Sequence, residues 1–420
     1  MSAAALSTWL GPSPRFQPIS PPLLSLLVWI PAAGSALAFL SGKPIGRGFR
    51  FAAAAAPIAI AVLGPAPVTH PWIPSIGASY ELAVDGLSIL LCVLISLLAL
   101  LALALEPVDR RNATLVLWTQ SALLGLLCSR DALLLMVFLG VAMTCLMVRE
   151  GHRFFSIQWV GFALLSGFFV LCYQLAAAQT GFPTSSIDRF ESLVAFPNFA
   201  GRAFLLGAAG PVIMMFGSWT KGSNLSLAGY SVVPAYLLLR FVSCVFPMGA
   251  SEHAPLMIAL GLLGIASAAL SPRTRLIHGY YGLLLLGMFS FRFQGVVAAQ
   301  IEMIHLGLAL AAVALCSTAK TRLEALLSGV VMLVPPGASG LIRALPRELL
   351  VVAGLGYVWW VLRFLRSRSR HSEMPFSGRA PLIILTGLWV ALVASRPALS
   401  VMLSDSAEKI THARETSEEP

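Results

Sequence analysis

His70-Pro-Trp-Ile-Pro-Ser-Ile-Gly-Ala-Ser-Tyr80-Glu-Leu-Ala-Val-Asp-Gly-Leu-Ser-Ile-Leu-Leu91 is the stretch on which the reading of the fold turns. It sets two acidic side chains, Glu81 and Asp85, and a Pro- and Gly-containing turn directly against the apolar run Leu87–Leu105. At about 1.5 Å rise per residue a helical run of that length reaches across the hydrocarbon core of a bilayer. Asp85-Gly86 therefore reads as a helix start, the aspartate accepting from free backbone N–H groups and complementing the positive end of the helix dipole.

The pattern repeats along the chain. Of 420 residues, 58% are hydrophobic and 11% charged, and the mean hydropathy is +0.85. Those values exclude a soluble globular class and point to a polytopic membrane protein. Apolar runs begin near Pro21, Phe51, Gly86, Ala113, Ala132, Phe155, Ala203, Ala228, Leu256, Leu276, Val296, Ala325, Leu349 and Pro381. The alternation of a barrel strand is missing, so an all-α bundle of about 13–14 transmembrane helices is expected. Ala325–Leu333 is too short to cross unaided, and with Pro335-Pro336-Gly337 it reads as a full span or a re-entrant segment. The first ten residues lack a basic region, so no cleavable signal peptide is expected.

With the N-terminus placed outside, the inner loops collect 17 of the 28 Lys and Arg residues, most densely over Arg363–Arg379. This bias places both termini on the outer face of a bacterial inner membrane. The net charge of +10 then reflects basic loops, not a nucleic-acid partner. The long polar stretches are Ala176–Gly201, read as an outer loop with a surface helix, and residues 404–420, read as a disordered tail after a membrane domain spanning 1–403. Cys92, Cys128, Cys145, Cys172, Cys244 and Cys316 lie in or beside apolar runs without CxxC or Cys/His spacing, so no metal site is expected. No nucleotide- or flavin-binding motif occurs either, so redox cofactors are expected on other subunits.

Several blocks resemble, in order, the antiporter-like subunit M of respiratory complex I, NADH:quinone oxidoreductase. Leu23–Gly34 resembles its first helix and His70–Leu91 its loop and third helix. Trp219, Ala228-Gly-Tyr-Ser and Ala235-Tyr-Leu-Leu-Leu-Arg-Phe241 resemble the broken seventh helix, its loop and the eighth. Arg275-Leu-Ile277, Gln294-Gly295, Glu302-Met-Ile-His-Leu-Gly-Leu308 and Pro336-Gly337 follow. The resemblance implies an inverted-repeat architecture with interrupted helices, breaks at Pro211, Pro336 and Gly337, and other membrane subunits as partners within the lipid bilayer.

It also implies a midplane path of ionisable side chains, and there this chain departs. The glutamate of the fifth helix falls at Gly140, the lysine of the seventh at Ala209 or Gly210, and the lysine of the eighth near Val232. The acidic residue after the Pro-Gly break falls at Ala344, one histidine near Leu284 or Leu285, and a second at Leu306. None of these side chains binds a proton. Four titratable candidates remain: Glu302 and His305, spaced to share one helix face, Arg240, and His278, which after Arg275 near an inner interface reads as part of a solvated face; the first three are the candidates for a proton path. Set against a path is a purely cohesive role, Glu302 bonding His305 or Arg240 and joining helices, while Arg240 either pairs with a carboxylate or extends to the interface.

Three functions follow from this reading. The first is a divergent subunit of a complex I-type or related ion-translocating assembly, with a lost or altered proton path and a structural role. The second is a stand-alone or two-component transporter subunit for another ion or for inorganic carbon. The third is a membrane anchor whose basic face docks a soluble enzyme.

Overall fold

The computed structural model describes residues 22–41, 46–105, 110–150, 152–217, 225–270, 276–316, 331, 334–367, 379–404, 407–408 and 411. The expected apolar runs are helices: α1 Leu23–Ser41, α2 Gly46–Val62, α3 Gly86–Leu105, α4 Arg110–Cys128, α5 Ala132–Glu150, α6 His152–Thr180 and α7 Pro197–Phe216. They continue as α8 Leu225–Leu237, α9 Ala254–Leu270, α10 Leu276–Met288, α11 Phe293–Cys316, α12 Ala338–Ala344, α13 Arg347–Ser367, α14 Arg379–Ala394 and α15 Arg396–Met402. Among the described residues six helices are long and apolar enough to span a membrane, and α14 with α15, bent by 72°, adds a broken seventh. The chain is an all-α, multi-pass membrane protein.

Burial sorts these helices into layers. In the spans through α8 and α11, 94% and 89% of residues are inside the protein, against 33% for α6. α8 and α11 thus form the centre, and α6 turns most of its surface outward. Where hydrophobicity gives no preference for helix over lipid, close packing decides association. A Cβ on Gly161 of α6 would stand 2.7 Å from the Gly210 carbonyl oxygen of α7, and the converse distance is the same.

The segment from residue 68 to 85 departs from the all-helical expectation. It forms an antiparallel hairpin, β1 Val68–Ile73 and β2 Ala78–Leu82, joined by a 3-10 turn in which the Gly77 N–H bonds the Pro74 carbonyl at 3.1 Å. The turn needs a left-handed residue, and Gly77 has φ 65°. Pro71 is tolerated because β1 is an outer strand. The far edge of β2 is covered by the α4–α5 turn, with the Arg130 N–H on the Glu81 carbonyl at 2.9 Å and the Ala83 N–H on the Cys128 carbonyl at 2.8 Å. Outside hydrocarbon, strands bonded in this way leave no polar group stranded in lipid.

The polar stretch expected at Ala176–Gly201 is shorter, since α6 runs to Thr180 and α7 starts at Pro197. The single helical turn inside it, Ile187–Phe190, buries Ile187 and Phe190 instead of lying on the surface. Pro211 does not break its helix. α7 runs through it to Phe216, and close contact with α6 at Gly210 supports the turn that lacks an N–H donor. The interruption falls in α8 instead, where Pro234 is followed by a π turn over Leu238–Val242. Pro336 and Gly337 do form a break, immediately before α12. Most of the run at 325–333 and most of the Arg363–Arg379 loop lie outside the described residues. So does the end of the tail, whose described members Ser404, Ala407, Glu408 and Thr411 are helical.

Candidate functional site

α11 carries Glu302 and His305 one turn apart, and both are fully enclosed. Their side chains meet: His305 Nδ1 lies 2.9 Å from Glu302 Oε2. Each then reaches across to the segment preceding α12. Glu302 Oε1 accepts from the Gly337 N–H at 2.5 Å, and His305 Nε2 stands 2.6 Å from the Val331 carbonyl oxygen. The edge of the Tyr280 ring packs on the imidazole at 5.5 Å between centroids.

The local sequence explains why the pair is needed. A break in a membrane helix frees backbone groups that find no water, and each costs several kcal/mol, on the order of 2–7, if left unmet. Pro335 and Pro336 remove two donors; Gly337 supplies the next N–H and hands it to Glu302. Gly337 must lack a side chain, because a Cβ would sit 2.7 Å from the Ala298 carbonyl oxygen and 2.9 Å from Glu302 Oε1. The opposite side is closed by α14 and α15: Trp389 Nε1 donates to the Val334 carbonyl at 3.2 Å, and Arg396 donates to Ser339 Oγ.

Arg240 belongs to a second site. The π turn places it inside the bundle, 4% exposed, with Nε on Asp85 Oδ2 at 3.0 Å and Nη1 on Glu191 Oε1 at 3.3 Å. Arg130 approaches the same Asp85 oxygen at 3.6 Å. The other Asp85 oxygen accepts from the Ser88 N–H at 2.8 Å, the cap expected at the start of α3. Burial pushes the Asp85 carboxyl up, but Arg240, the Ser88 N–H and Arg130 together outweigh it and hold the carboxyl below its ordinary range. Glu81, half-buried on β2, moves the other way, raised by burial and by the charges of Asp188 and Asp131. Asp131 ties the hairpin to the stretch after α6, accepting from the Ser79 N–H at 2.9 Å and from Ser185 Oγ at 2.5 Å.

The three path candidates thus divide into two sites. Glu302 and His305 form the bonded pair, and Arg240 joins Asp85 and Glu191. Sequence reading assigned Asp85 to helix capping alone and passed over Arg130, Asp131 and Glu191. Their one sequence signal was position: all lie in turns at the same end of the bundle as the hairpin.

The positions implied for the proton relay are apolar in space as well. Val232, Leu284, Leu285 and Ala344 are buried among hydrophobic side chains. Around Val232 the buried polar groups are neutral: Tyr230 OH donates to Gln158 Oε1 at 3.2 Å, and Tyr281 OH to the Ser231 carbonyl at 2.7 Å. Among the described residues no three His, Cys, Asp or Glu side chains cluster as metal ligands.

No family model matches the chain. By sequence it is similar to NADH-quinone oxidoreductase subunit M of Escherichia coli, 29% identical over 231 residues, covering 46% of this chain and 45% of the relative. The chain spans about half the length of the curated relatives it matches. By structure it is similar to a chain of respiratory complex I from Thermus thermophilus, with TM-score 0.73 and 19% identity over 92% of this chain and 99% of that one. A chain of the Mrp complex from a Dietzia species gives TM-score 0.70 and 16% identity over 93% of this chain and 52% of that one. The chain therefore has the fold of the antiporter-like membrane subunits and is similar in sequence to NADH-quinone oxidoreductase subunit M, as its ordered blocks implied.

Proposed function

We propose that the chain is an antiporter-like membrane subunit of a complex I-type or related ion-translocating assembly, in which the usual ionisable relay is lost or altered and the main role is structural. One observation carries this reading: the positions that the resemblance assigns to the relay hold Gly140, Ala209 or Gly210, Val232, Ala344 and Leu284 or Leu285. A protonatable side chain near the bilayer centre costs about 2.5–3.5 kcal/mol even on the lenient insertion scale, so it is retained where it is used. Its replacement by small and aliphatic residues at position after position favours packing over proton transfer. The partners are other membrane subunits held against the outward-facing helices within the lipid, in a bacterial inner membrane with both termini outside. Redox cofactors and soluble chemistry belong to other chains.

Purification from native membranes under mild detergent tests the assembly. Membrane subunits of a quinone reductase or an antiporter complex are expected to come with this chain, and its recovery without them rules the assembly out. A second reading, ion transport by this chain itself, is favoured by the Glu302–His305 pair. Vesicles carrying the purified protein are the test, since equal proton flux in wild type and Glu302→Gln eliminates a path through that carboxylate.

A further inference from the structure

The bonding partners of the Glu302–His305 pair fix how many protons it holds. A backbone carbonyl only accepts, so His305 Nε2, facing the Val331 oxygen at 2.6 Å, carries a hydrogen. A backbone N–H only donates, so Glu302 Oε1, facing Gly337 N, accepts. One contact remains, Nδ1 to Oε2 at 2.9 Å. Two acceptors facing each other at that distance repel, and two hydrogens cannot fit between them. A single hydrogen lies there, whether on oxygen, as a neutral acid beside a neutral imidazole, or on nitrogen, as a carboxylate beside an imidazolium. In both forms the pair is electrically neutral overall, the condition for enclosing it in the bundle.

We infer that Glu302 and His305 together form a single-proton binding site whose occupancy decides whether Val331 and the Pro336-Gly337 break stay fastened to α11. When the proton is present, the pair bridges two backbone groups of the break, the Val331 carbonyl and the Gly337 N–H. When it leaves, a net negative charge remains in a sealed, apolar surrounding, and Nδ1 and Oε2 become two lone pairs in contact. The imidazole must then turn, and turning it takes Nε2 off the Val331 carbonyl. Proton release and unfastening are one event.

Among the described residues nothing around the pair neutralises the charge left behind. α10 presents Tyr280, which packs on the imidazole, while its Tyr281 is committed to the Ser231 carbonyl and its His278 contacts Ser267. α13 brings Tyr357 close enough to feel the Glu302 charge. The tyrosines of α8 bond elsewhere, Tyr230 to Gln158 and Tyr236 to the Leu127 carbonyl. α3 contains no Asp, Glu, His, Lys or Arg, and Arg343 of α12 is exposed. α14 offers Trp389, an N–H donor already on Val334. Among the described residues, the proton itself is the group that balances the site.

The test is hydrogen exchange of the segment 334–345, followed by mass spectrometry across a pH series on the full chain in lipid nanodiscs, with intrinsic exchange rates divided out. In the wild type, protection is expected to fall about tenfold per pH unit above the pH at which the pair loses its proton, the slope for a single linked proton. Glu302→Gln keeps the geometry, its oxygen on Gly337 and its amide N–H on Nδ1, but holds no exchangeable charge; protection should stay flat. Glu302→Ala should be unprotected throughout. Infrared difference spectra over the same range should show one carboxyl–imidazole protonation change in the wild type that is missing from Glu302→Gln. A wild-type profile that parallels Glu302→Gln, either flat or sloping, overturns the inference, as does a spectrum unchanged by that substitution.

Discussion

Replacing Arg240 by methionine should cost about 3 kcal/mol of stability, and the structure shows where that figure comes from. The guanidinium is 4% exposed and makes two charge-assisted bonds, to Asp85 at 3.0 Å and to Glu191 at 3.3 Å. Adding about 1.5–3 kcal/mol for each such bond overstates the effect, because the wild type already bears the desolvation of the arginine. The better guide is removal of one partner from a buried pair, at about 3–5 kcal/mol. Two features favour the lower end. The carboxylates are 20% and 21% exposed, and Arg130 remains 3.6 Å from Asp85. Methionine fills the volume of the stem, so little cavity cost is added. Roughly 3 kcal/mol is a 150-fold shift in the unfolding equilibrium, within reach of denaturant titration in mixed micelles followed by tryptophan fluorescence. Asp85→Asn is the companion, since an asparagine oxygen still accepts from the Ser88 N–H while the charge is gone. The double variant should be less damaged than the sum of the singles by at least about 1 kcal/mol. A loss below about 0.5 kcal/mol for Arg240→Met, or strict additivity, would refute a coupled ionic core at this end of the bundle.

Two further outcomes concern the hairpin end. Glu81→Gln should stabilise the protein at neutral and alkaline pH: a carboxyl raised by burial, Asp188 and Asp131 contributes most when protonated and loses that contribution as pH rises through its folded value. Asp85 has the opposite sign, its contribution being present above the ordinary carboxylate range and lost as pH falls through its lowered value, so thermal melts of Asp85→Asn and Glu81→Gln against pH should diverge from wild type in opposite directions. Gly77→Ala puts a Cβ onto the Pro183 carbonyl at a left-handed φ of 65°. It should release the turn and the stretch after α6, giving protease cleavage near Phe182 that the wild type resists.

The helices were legible because lipid leaves one solution for an apolar run, and the run starts from Pro21 to Pro381 fall close to the observed helix ends where the chain is described. The hairpin was not, since Thr69–Trp72 and Ser79–Glu81 are short and mixed, and β2 is held from its far edge by Cys128 and Arg130 of the distant α4–α5 turn. The Glu302–His305 bond was legible because both are ionisable residues in an apolar run and i, i+3 on a helix is a local relation. Their bonds to Val331 and Gly337 were not, since those partners come from a separate segment. Arg240 shows the same limit: its residue type announced a buried charge, but Asp85 and Glu191 are brought to it only by the packing of α3 and the stretch after α6. Pro211 misled because a proline marks a weak point without requiring a break there.

The π turn at Leu238–Val242 also changes how this chain is to be aligned. A turn closed by i to i+5 bonds, seen in the Ser243 N–H on the Leu238 carbonyl, holds one residue more than the α-helical turn it replaces. Every side chain from Ser243 onward is consequently rotated by about 100° from the position that helical counting assigns it. A relative without the bulge aligns on both sides of it only by opening a gap of one residue. Deleting Leu239 should restore a regular helix and swing Arg240 off Asp85, leaving α8 intact but stripping the ionic core of its buried cation, with only Arg130 left beside Asp85.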